Sequence, residues 1–540
     1  MRAPDLQLTV AHLDYAVSNT LKLPGIAGLP LLVLLVGYVF YSLVQWRILA
    51  ARMPPGPPGF LWFGNRHQVP AVKPWRKFAE WKQQYGPVLS LWLGRTPVIV
   101  LGTAQAAWDL LDRRSDIYSS RPRFIMAGEI LSDNKRGLMM PAGENWRKFR
   151  KVLHGGFHAR KADTYRDIQT LESKLLMHQL LHDPKDYEQH IRRYAASVVV
   201  SVAYGRRVDS MDEWVVKENM EAMAYLTSVN IPGKYIVESW PWLLKLPRSL
   251  QWFRREAEEH RARDIHMVTH LLDDVKSRVA QGTCPPCLAA ETYAAREKLG
   301  LSELEVAYTI SSPFGAGIET TSGTMFSFIL AMLHYPEKMR KAQSELDAVV
   351  GRERMPEYTD RDSLPYVRAL INEVLRWRPV AALGGSPHSV TADDEYQGMF
   401  IPKGSTVFAN LDGILRDPEM FESPEDFIPE RFLETKDSRL EPFELPFGFG
   451  RRVCPGMHLA LNSIFINVSR ILWAFEILPA EGRGLPDVWA FTNGFNSWPE
   501  SFDARFVARG ELVKECIERE LESAKEALGR TRIEFISRKL

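Results

Sequence analysis

The sequence predicts a mostly helical α+β chain, with a minor β sheet and one large domain behind an N-terminal membrane anchor. Three observations carry that expectation. From about Asp163 to Ala280 apolar positions recur every three to four residues, the period of a helix that buries one face. Pro87–Gly102 alternates, is rich in Val, Leu and Ile, and has Gly-Arg-Thr-Pro at its centre, which reads as two strands and a hairpin. Gly25 to Val44 is uncharged and apolar, and as a helix it matches the ~30 Å hydrocarbon core of a bilayer.

The chain divides into an N-terminal segment (1–24), an anchor (25–46), a proline-rich hinge (47–60), a main domain (61–510) and a charged, helical C-terminal tail (511–540). Tyr38, Tyr41 and Trp46 suit an interfacial aromatic belt at the end of the anchor. In Met53–Phe60 paired prolines lock φ and remove donors, which makes a stiff extended connector. With 540 residues, 45% hydrophobic, the chain can bury a large core. Its 68 basic and 66 acidic residues nearly cancel, which argues against a nucleic-acid partner. Four cysteines exclude a disulfide scaffold and fit a reducing compartment.

Glu144–Phe157 reads as a helix with Trp146 and Arg150 at i and i+4 on one face, where an indole N–H and a guanidinium can hold a carboxylate. Arg147, Lys148 and Lys151 then face away, as a basic patch for an acidic electron donor or as a solvated face. The helical region that follows breaks at Pro232, Pro241 and Pro247 and holds no chemical motif. Cys284 and Cys287 flank two prolines, and without a second pair they read as a loop rather than a metal site.

Ser311–Phe328 belongs to a long apolar helix ending near Pro336 that breaks several helix rules. Gly315, Gly317 and adjacent threonines weaken its interior, and Glu319 sets a carboxylate among apolar residues, a pattern that often marks a functional site. Small residues such as Ala316 let a flat cofactor touch the helix. A threonine hydroxyl can replace a lost backbone bond and open a groove. Glu319 and Thr320 could then relay protons. Farther on, Glu373 and Arg376 can pair at i and i+3, a pairing worth little on an exposed helix. The tail beyond Glu511 reads as a solvated charged helix holding Cys516.

The stretch Phe447–Gly456, FGFGRRVCPG, has the make-up of a loop that presents a thiolate to a metal. Gly448 and Gly450 permit positive φ, Pro455 suits the first turn of a following helix, Gly456 lets that helix pass close to a flat cofactor, and Phe447 can shield the sulfur. Arg452 carries a permanent charge suited to pairing with a carboxylate.

Phe447, Gly450, Arg452, Cys454 and Gly456 together resemble the haem-ligand loop of the cytochrome P-450 monooxygenases. Ala316, Gly317, Glu319, Thr320 and Thr321 resemble that family's oxygen-groove signature, with Pro313 a departure that can reshape the pocket. Trp146 with Arg150, and Glu373 with Arg376, resemble two more of its pairs, and Arg431 could complete a triad with the second. The resemblance covers about residues 50–510 and implies the family's haem-thiolate fold.

It further implies haem b on Cys454, with carboxylates held by Arg452, Trp146, Arg150 and His388, and electrons from NADPH through a membrane cytochrome P-450 reductase. Cytochrome b5 is a second candidate donor. The reaction implied is insertion of one oxygen atom into a hydrophobic small molecule: hydroxylation, or a related demethylation, epoxidation or ring coupling. Phe124, Ala316, Val380, Ala381, Ala382 and Phe495 are candidate pocket residues. The resemblance also points to the endoplasmic reticulum membrane, a cytosolic domain with 1–24 in the lumen, and fungal specialised metabolism. A reductase-independent haem-thiolate isomerase or dehydratase, or a non-catalytic haem sensor, are the alternatives.

Overall fold

The computed structural model describes residues 28–60, 63–230 and 234–530. The segment 1–24, the first residues of the expected anchor, Pro232 and the last ten residues of the tail lie outside them. Helices of more than ten residues are numbered in order: α1 Gly28–Arg52, α2 Pro74–Tyr85, α3 Glu144–Phe157, α4 Arg166–His182, α5 Tyr187–Tyr204, α6 Trp214–Val229 and α7 Arg255–Ala280. α8 Leu288–Leu299, α9 Glu303–His334, α10 Pro336–Val349, α11 Pro365–Trp377, α12 Met457–Ala474 and α13 Glu511–Arg530 follow. The strands are short: β1 Val88–Leu93, β2 Thr96–Leu101, β3 His388–Ser389, β4 Asp394–Tyr396, β5 Met399–Ile401, β6 Thr406–Ala409, β7 Phe475–Pro479 and β8 Ala504–Ala508.

The predicted hairpin is present. β1 and β2 pair antiparallel from Val88↔Leu101 to Leu93↔Thr96 around Gly94, whose φ of +62° suits the two-residue turn. β6 joins β2 in parallel and β3 joins β6 antiparallel, so the sheet order is β1-β2-β6-β3. β4–β5 and β7–β8 form two further hairpin sheets.

The helical body is built on α9. A capping box, Ser302 with Glu305, opens it, and an almost unbroken apolar run lets most of it meet protein: α5 lies along it, with α7, α8, α11 and α12 also against it. Pro313 does not end it, and the Ser311 and Ser312 hydroxyls bond to the Tyr308 carbonyl near the donor that proline lacks. A separate apolar cluster, including Ile125, Met126, Tyr225, Leu226 and Phe253, joins the segment after Phe124 to α6 and to the residues leading into α7.

Two expectations change. The first helix runs on to Arg52, past residue 46 where the anchor was expected to end and into the segment assigned to the hinge, and the extended connector begins at Met53. α13 is not a solvated helix: Leu521, Ala524 and Leu528 pack on Leu171 and Leu175 of α4, and Cys516 is fully buried. The alternation of charge in its sequence hid a narrow apolar stripe. α1 has Val33 to Val36 exposed and touches the body near its end, through Trp46 and Leu49, whereas α9, also apolar, is mostly buried.

Candidate active site

Cys454 lies two residues before Gly456, the N-cap of α12. Its N–H donates to the Phe447 carbonyl at 2.8 Å, which closes the loop into a tight turn. Gly448 and Gly450 take φ of +84° and +54°, as expected, and a Cβ at Gly450 would meet the Leu111 carbonyl at 2.3 Å. Pro455 sits in the turn before α12, not in its first turn, because the helix starts only at Met457. Gly456 has no atom within 4 Å of where a Cβ would stand, so the loop opens onto free space there. Phe447 is half-buried beside it. Burial pushes the Cys454 thiol pKa up, while the Gly456 N–H and the Arg150 guanidinium pull it down. The start of α12 adds a favourable dipole for a thiolate.

Trp146 and Arg150 converge on this loop from α3, which has the predicted bounds. Arg150 donates to the Val453 carbonyl at 2.6 Å, and the Arg452 guanidinium lies 4.2 Å over the Trp146 ring. Arg452 also donates to the Ser119 and Met140 carbonyls at 2.6 and 2.8 Å, which leaves its Nη1 available. His388, on β3, is buried and gives Nδ1–H to the Tyr118 carbonyl at 2.8 Å.

A residue that sequence reasoning missed completes the group. Arg121 is buried, donates to the Ser386 and Pro387 carbonyls at 2.6 and 3.0 Å, and leaves a buried Nε without a partner. Its only signal was Pro122, which holds the preceding residue extended. Among the described residues no carboxylate pairs with Arg121, Arg150 or Arg452. Burial, then repulsion from Arg121 and Arg150, pushes the Arg452 pKa down to about 8, and burial pushes Arg121 down to about 9. Burial, then Arg121, pushes His388 down to about 3. Such crowding of cations away from water without acids fits an anionic group in the space they face, and the sulfur beside it fits a thiophilic metal.

The opposite wall is α9. Ala316 is exposed in mid-helix although Phe314 and Ile318 are buried, and Pro313, Ala316 and Thr320 share its face at helical spacing. Gly317 cannot carry a Cβ without meeting Val199 of α5 at 2.5 Å, so its role is close helix packing. The expected threonine-opened groove is not seen. The helix is continuous through this region because the hydroxyls of Thr320, Ser322 and Thr324 bond to carbonyls four residues back, Thr320 to Ala316 at 2.7 Å, without displacing the ladder. Glu319 is half-buried, and burial raises its pKa against the opposing pull of Arg192 and of a hydrogen bond from Asn496. Arg192 and Asn496 had no signal in the sequence.

The loop after Phe491 closes one end of this face. Ser497 N–H donates to the Val380 carbonyl at 2.8 Å, and Val380 and Trp498 both approach Gly323 of α9. Phe495 lies against Gly385, and Ala381 is half-buried nearby in the chain. Phe124 reaches the other end through the cluster that includes Met223, which touches α9 at Gly315. Ala382 lines a different crevice, with Trp75, Arg378 and Trp489.

Glu373 and Arg376 are both fully buried and doubly bonded at 2.7 Å. Arg431 joins them at 3.2 Å. Arg376 further donates to the Leu415, Pro424 and Asp426 carbonyls, and Glu373 accepts the Ile428 N–H, so the triad ties α11 to the segment before the Cys454 loop. Cys284 and Cys287 stand with sulfurs 3.9 Å apart, both unbridged.

Comparison with known proteins agrees with this geometry. The family model described as Cytochrome P-450 matches residues 54–502. Cytochrome P-450 monooxygenase 253 of Postia placenta is 41% identical over 455 residues, 82% of this chain and 86% of the relative. A cytochrome P-450 monooxygenase of Armillaria gallica is 38% identical over 498 residues, 90% and 94% of the two chains. A zebrafish cytochrome P-450 solved with abiraterone superposes with a TM-score of 0.68 at 25% identity, over 82% of this chain and all of that one.

Proposed function

Because this chain belongs to the cytochrome P-450 family of monooxygenases, we propose that it binds haem b through Cys454 and inserts one atom of dioxygen into a hydrophobic small molecule. The observation that carries the residue assignment is the cluster of buried Arg121 with half-buried Arg150 and Arg452, without acids beside the Cys454 loop. Arg121, Arg150, Arg452 and Trp146 would hold the carboxylates of the haem. His388 would join them only by taking a second proton, since its Nδ1–H is already given to the Tyr118 carbonyl. When bound, the haem supplies an iron centre for the redox chemistry of dioxygen.

The remaining work falls to side chains of the chain itself. The Gly456 N–H, Arg150 and the α12 N-terminus favour Cys454 as thiolate. Glu319, whose pKa burial raises, holds a proton at its carboxyl group more readily than an exposed carboxylate does. Thr320 Oγ1, now donating to the Ala316 carbonyl, would pass one on from the adjoining face of α9. The apolar cluster around Phe124 and α6 excludes water and selects apolar substrates. The triad Glu373–Arg376–Arg431 buttresses the loop, a folding and retention role.

Electrons would come from an NADPH-dependent reductase docking where Arg147, Lys151 and Arg451 are exposed; Lys148 is partly committed to Glu144. Cytochrome b5 is the second candidate donor at the same surface. α1 would anchor the protein in the endoplasmic reticulum membrane, and exposed Ile236, Trp240, Trp242, Leu250 and Trp252 support a second contact with the lipid surface. Fungal relatives support a place in specialised metabolism, with a polycyclic or aromatic substrate.

The deciding experiment is the carbon monoxide difference spectrum of the reduced protein. Cys454→Ala should lose the haem-thiolate band shown by the wild type, and its persistence in that variant would overturn the assignment.

A further inference from the structure

α13 begins at Glu511, beyond residue 502 where the family match ends. Besides its apolar stripe and the Lys174–Glu520 pair at 2.7 Å, it brings Glu518 to two histidines of α4. His178 and His182 are one turn apart on one helix face, with ring centroids 4.3 Å apart. Glu518 Oε1 is 2.5 Å from His182 Nε2, and Oε2 is 3.5 Å from His178 Nε2. The three ligand atoms lie within 4.8 Å of one another.

We propose that His178, His182 and Glu518 form a site for a divalent transition-metal ion, zinc by the chemistry of its ligands, that clamps α13 to α4. Tetrahedral zinc with bonds of about 2.0–2.2 Å sets its ligand atoms roughly 3.3–3.5 Å apart, which small rotamer changes reach from the observed distances. Two imidazoles through Nε2 and one carboxylate, at 29%, 54% and 50% side-chain exposure, leave a fourth position for water. A plain histidine–carboxylate hydrogen bond accounts for the His182 contact, but not for a second imidazole turned to the same carboxylate. The groups around the site are Lys525, which is paired with Glu522, and the Lys174–Glu520 bridge. The site is remote in function from Cys454, so it stands or falls independently of the haem assignment.

The test uses the full-length haem-loaded protein, stripped with a chelator and titrated with Zn²⁺. Retained zinc is measured by elemental mass spectrometry, and opening of α13 by limited proteolysis. The wild type should hold about one zinc more per chain than the double variant His178→Ala/His182→Ala. Background binding at Cys284/Cys287 or at Asp183, Asp186 and His190 is common to both proteins and cancels. At a zinc concentration ten times Kd, cleavage within α13 should slow about tenfold in the wild type and not in the double variant. Glu518→Gln keeps a hydrogen-bonding partner for His182 but is a poor ligand, so it should lose the protection too. Equal zinc content in wild type and double variant, protection that survives Glu518→Gln, or zinc-independent cleavage would each overturn the clamp.

Discussion

Replacing Arg376 by alanine removes a guanidinium that makes two 2.7 Å bonds to Glu373 and three more to the Leu415, Pro424 and Asp426 carbonyls. The carboxylate left behind is fully buried, and its remaining partners are Arg431 at 3.2 Å and the Ile428 N–H at 2.7 Å. Breaking one side of a buried ion pair costs about 3–5 kcal/mol. Arg431 pulls the expected value toward the lower end, whereas three buried carbonyls losing a charged donor pull it up. Even about 3 kcal/mol lowers the folded-to-unfolded ratio more than a hundredfold. Urea unfolding followed by fluorescence reads the stability, and the haem-to-protein absorbance ratio reads retention. Both should fall in Arg376→Ala. The double variant Glu373→Leu/Arg376→Met should be milder than Arg376→Ala, because it strands no charge within the pair. The reasoning fails if Arg376→Ala unfolds within about 1 kcal/mol of the wild type, or if the double variant is the worse of the two.

Three further outcomes follow from the site. Arg121→Ala should weaken haem retention while Arg121→Lys, which keeps the charge but loses the fork, should fall between it and the wild type, as read by haem transfer to apomyoglobin; equal transfer rates in all three would remove Arg121 from the site. Glu319 has a folded pKa raised by burial, so between the ordinary carboxylate pKa and the raised one the unfolded chain ionises while the native carboxyl stays protonated. That contribution is complete below the ordinary pKa and is lost as pH rises through the folded one. The stability gap between Glu319→Gln and the wild type should therefore widen in favour of the glutamine variant as pH rises across that window, and a gap that stays flat or narrows sinks the reading. Thr320→Ala should raise NADPH consumed per product formed, by about ten- to a hundredfold if the hydroxyl carries the proton, and unchanged coupling removes Thr320 from the relay.

Local chemistry wrote much of this protein plainly. The Cys454 loop, the α3 pair Trp146 and Arg150, the β1–β2 hairpin and the small-residue face of α9 are each contained in a short stretch, where spacing alone sets which side chains share a turn or a face. Exposure of the apolar α1 against burial of the also apolar α9 was also foreshadowed, by position in the chain and by the rule-breaking residues in α9. Glu373 and Arg376 were legible as a pair but not as a buried one, since i and i+3 spacing says nothing about what covers the helix.

Tertiary structure alone decided the rest, because it turned on residues far apart in sequence meeting in one low-dielectric place. Arg121 joins Arg452 across more than three hundred residues, and their mutual repulsion exists only once the fold brings them together. Thr320 bonds back to its own helix within a continuous α9 packed against α5, α7, α8, α11 and α12, a setting that no local propensity reports. The charged tail docks on α4 because three apolar side chains line up only when α13 is coiled and laid down, and that same packing brings Glu518 to His178 and His182.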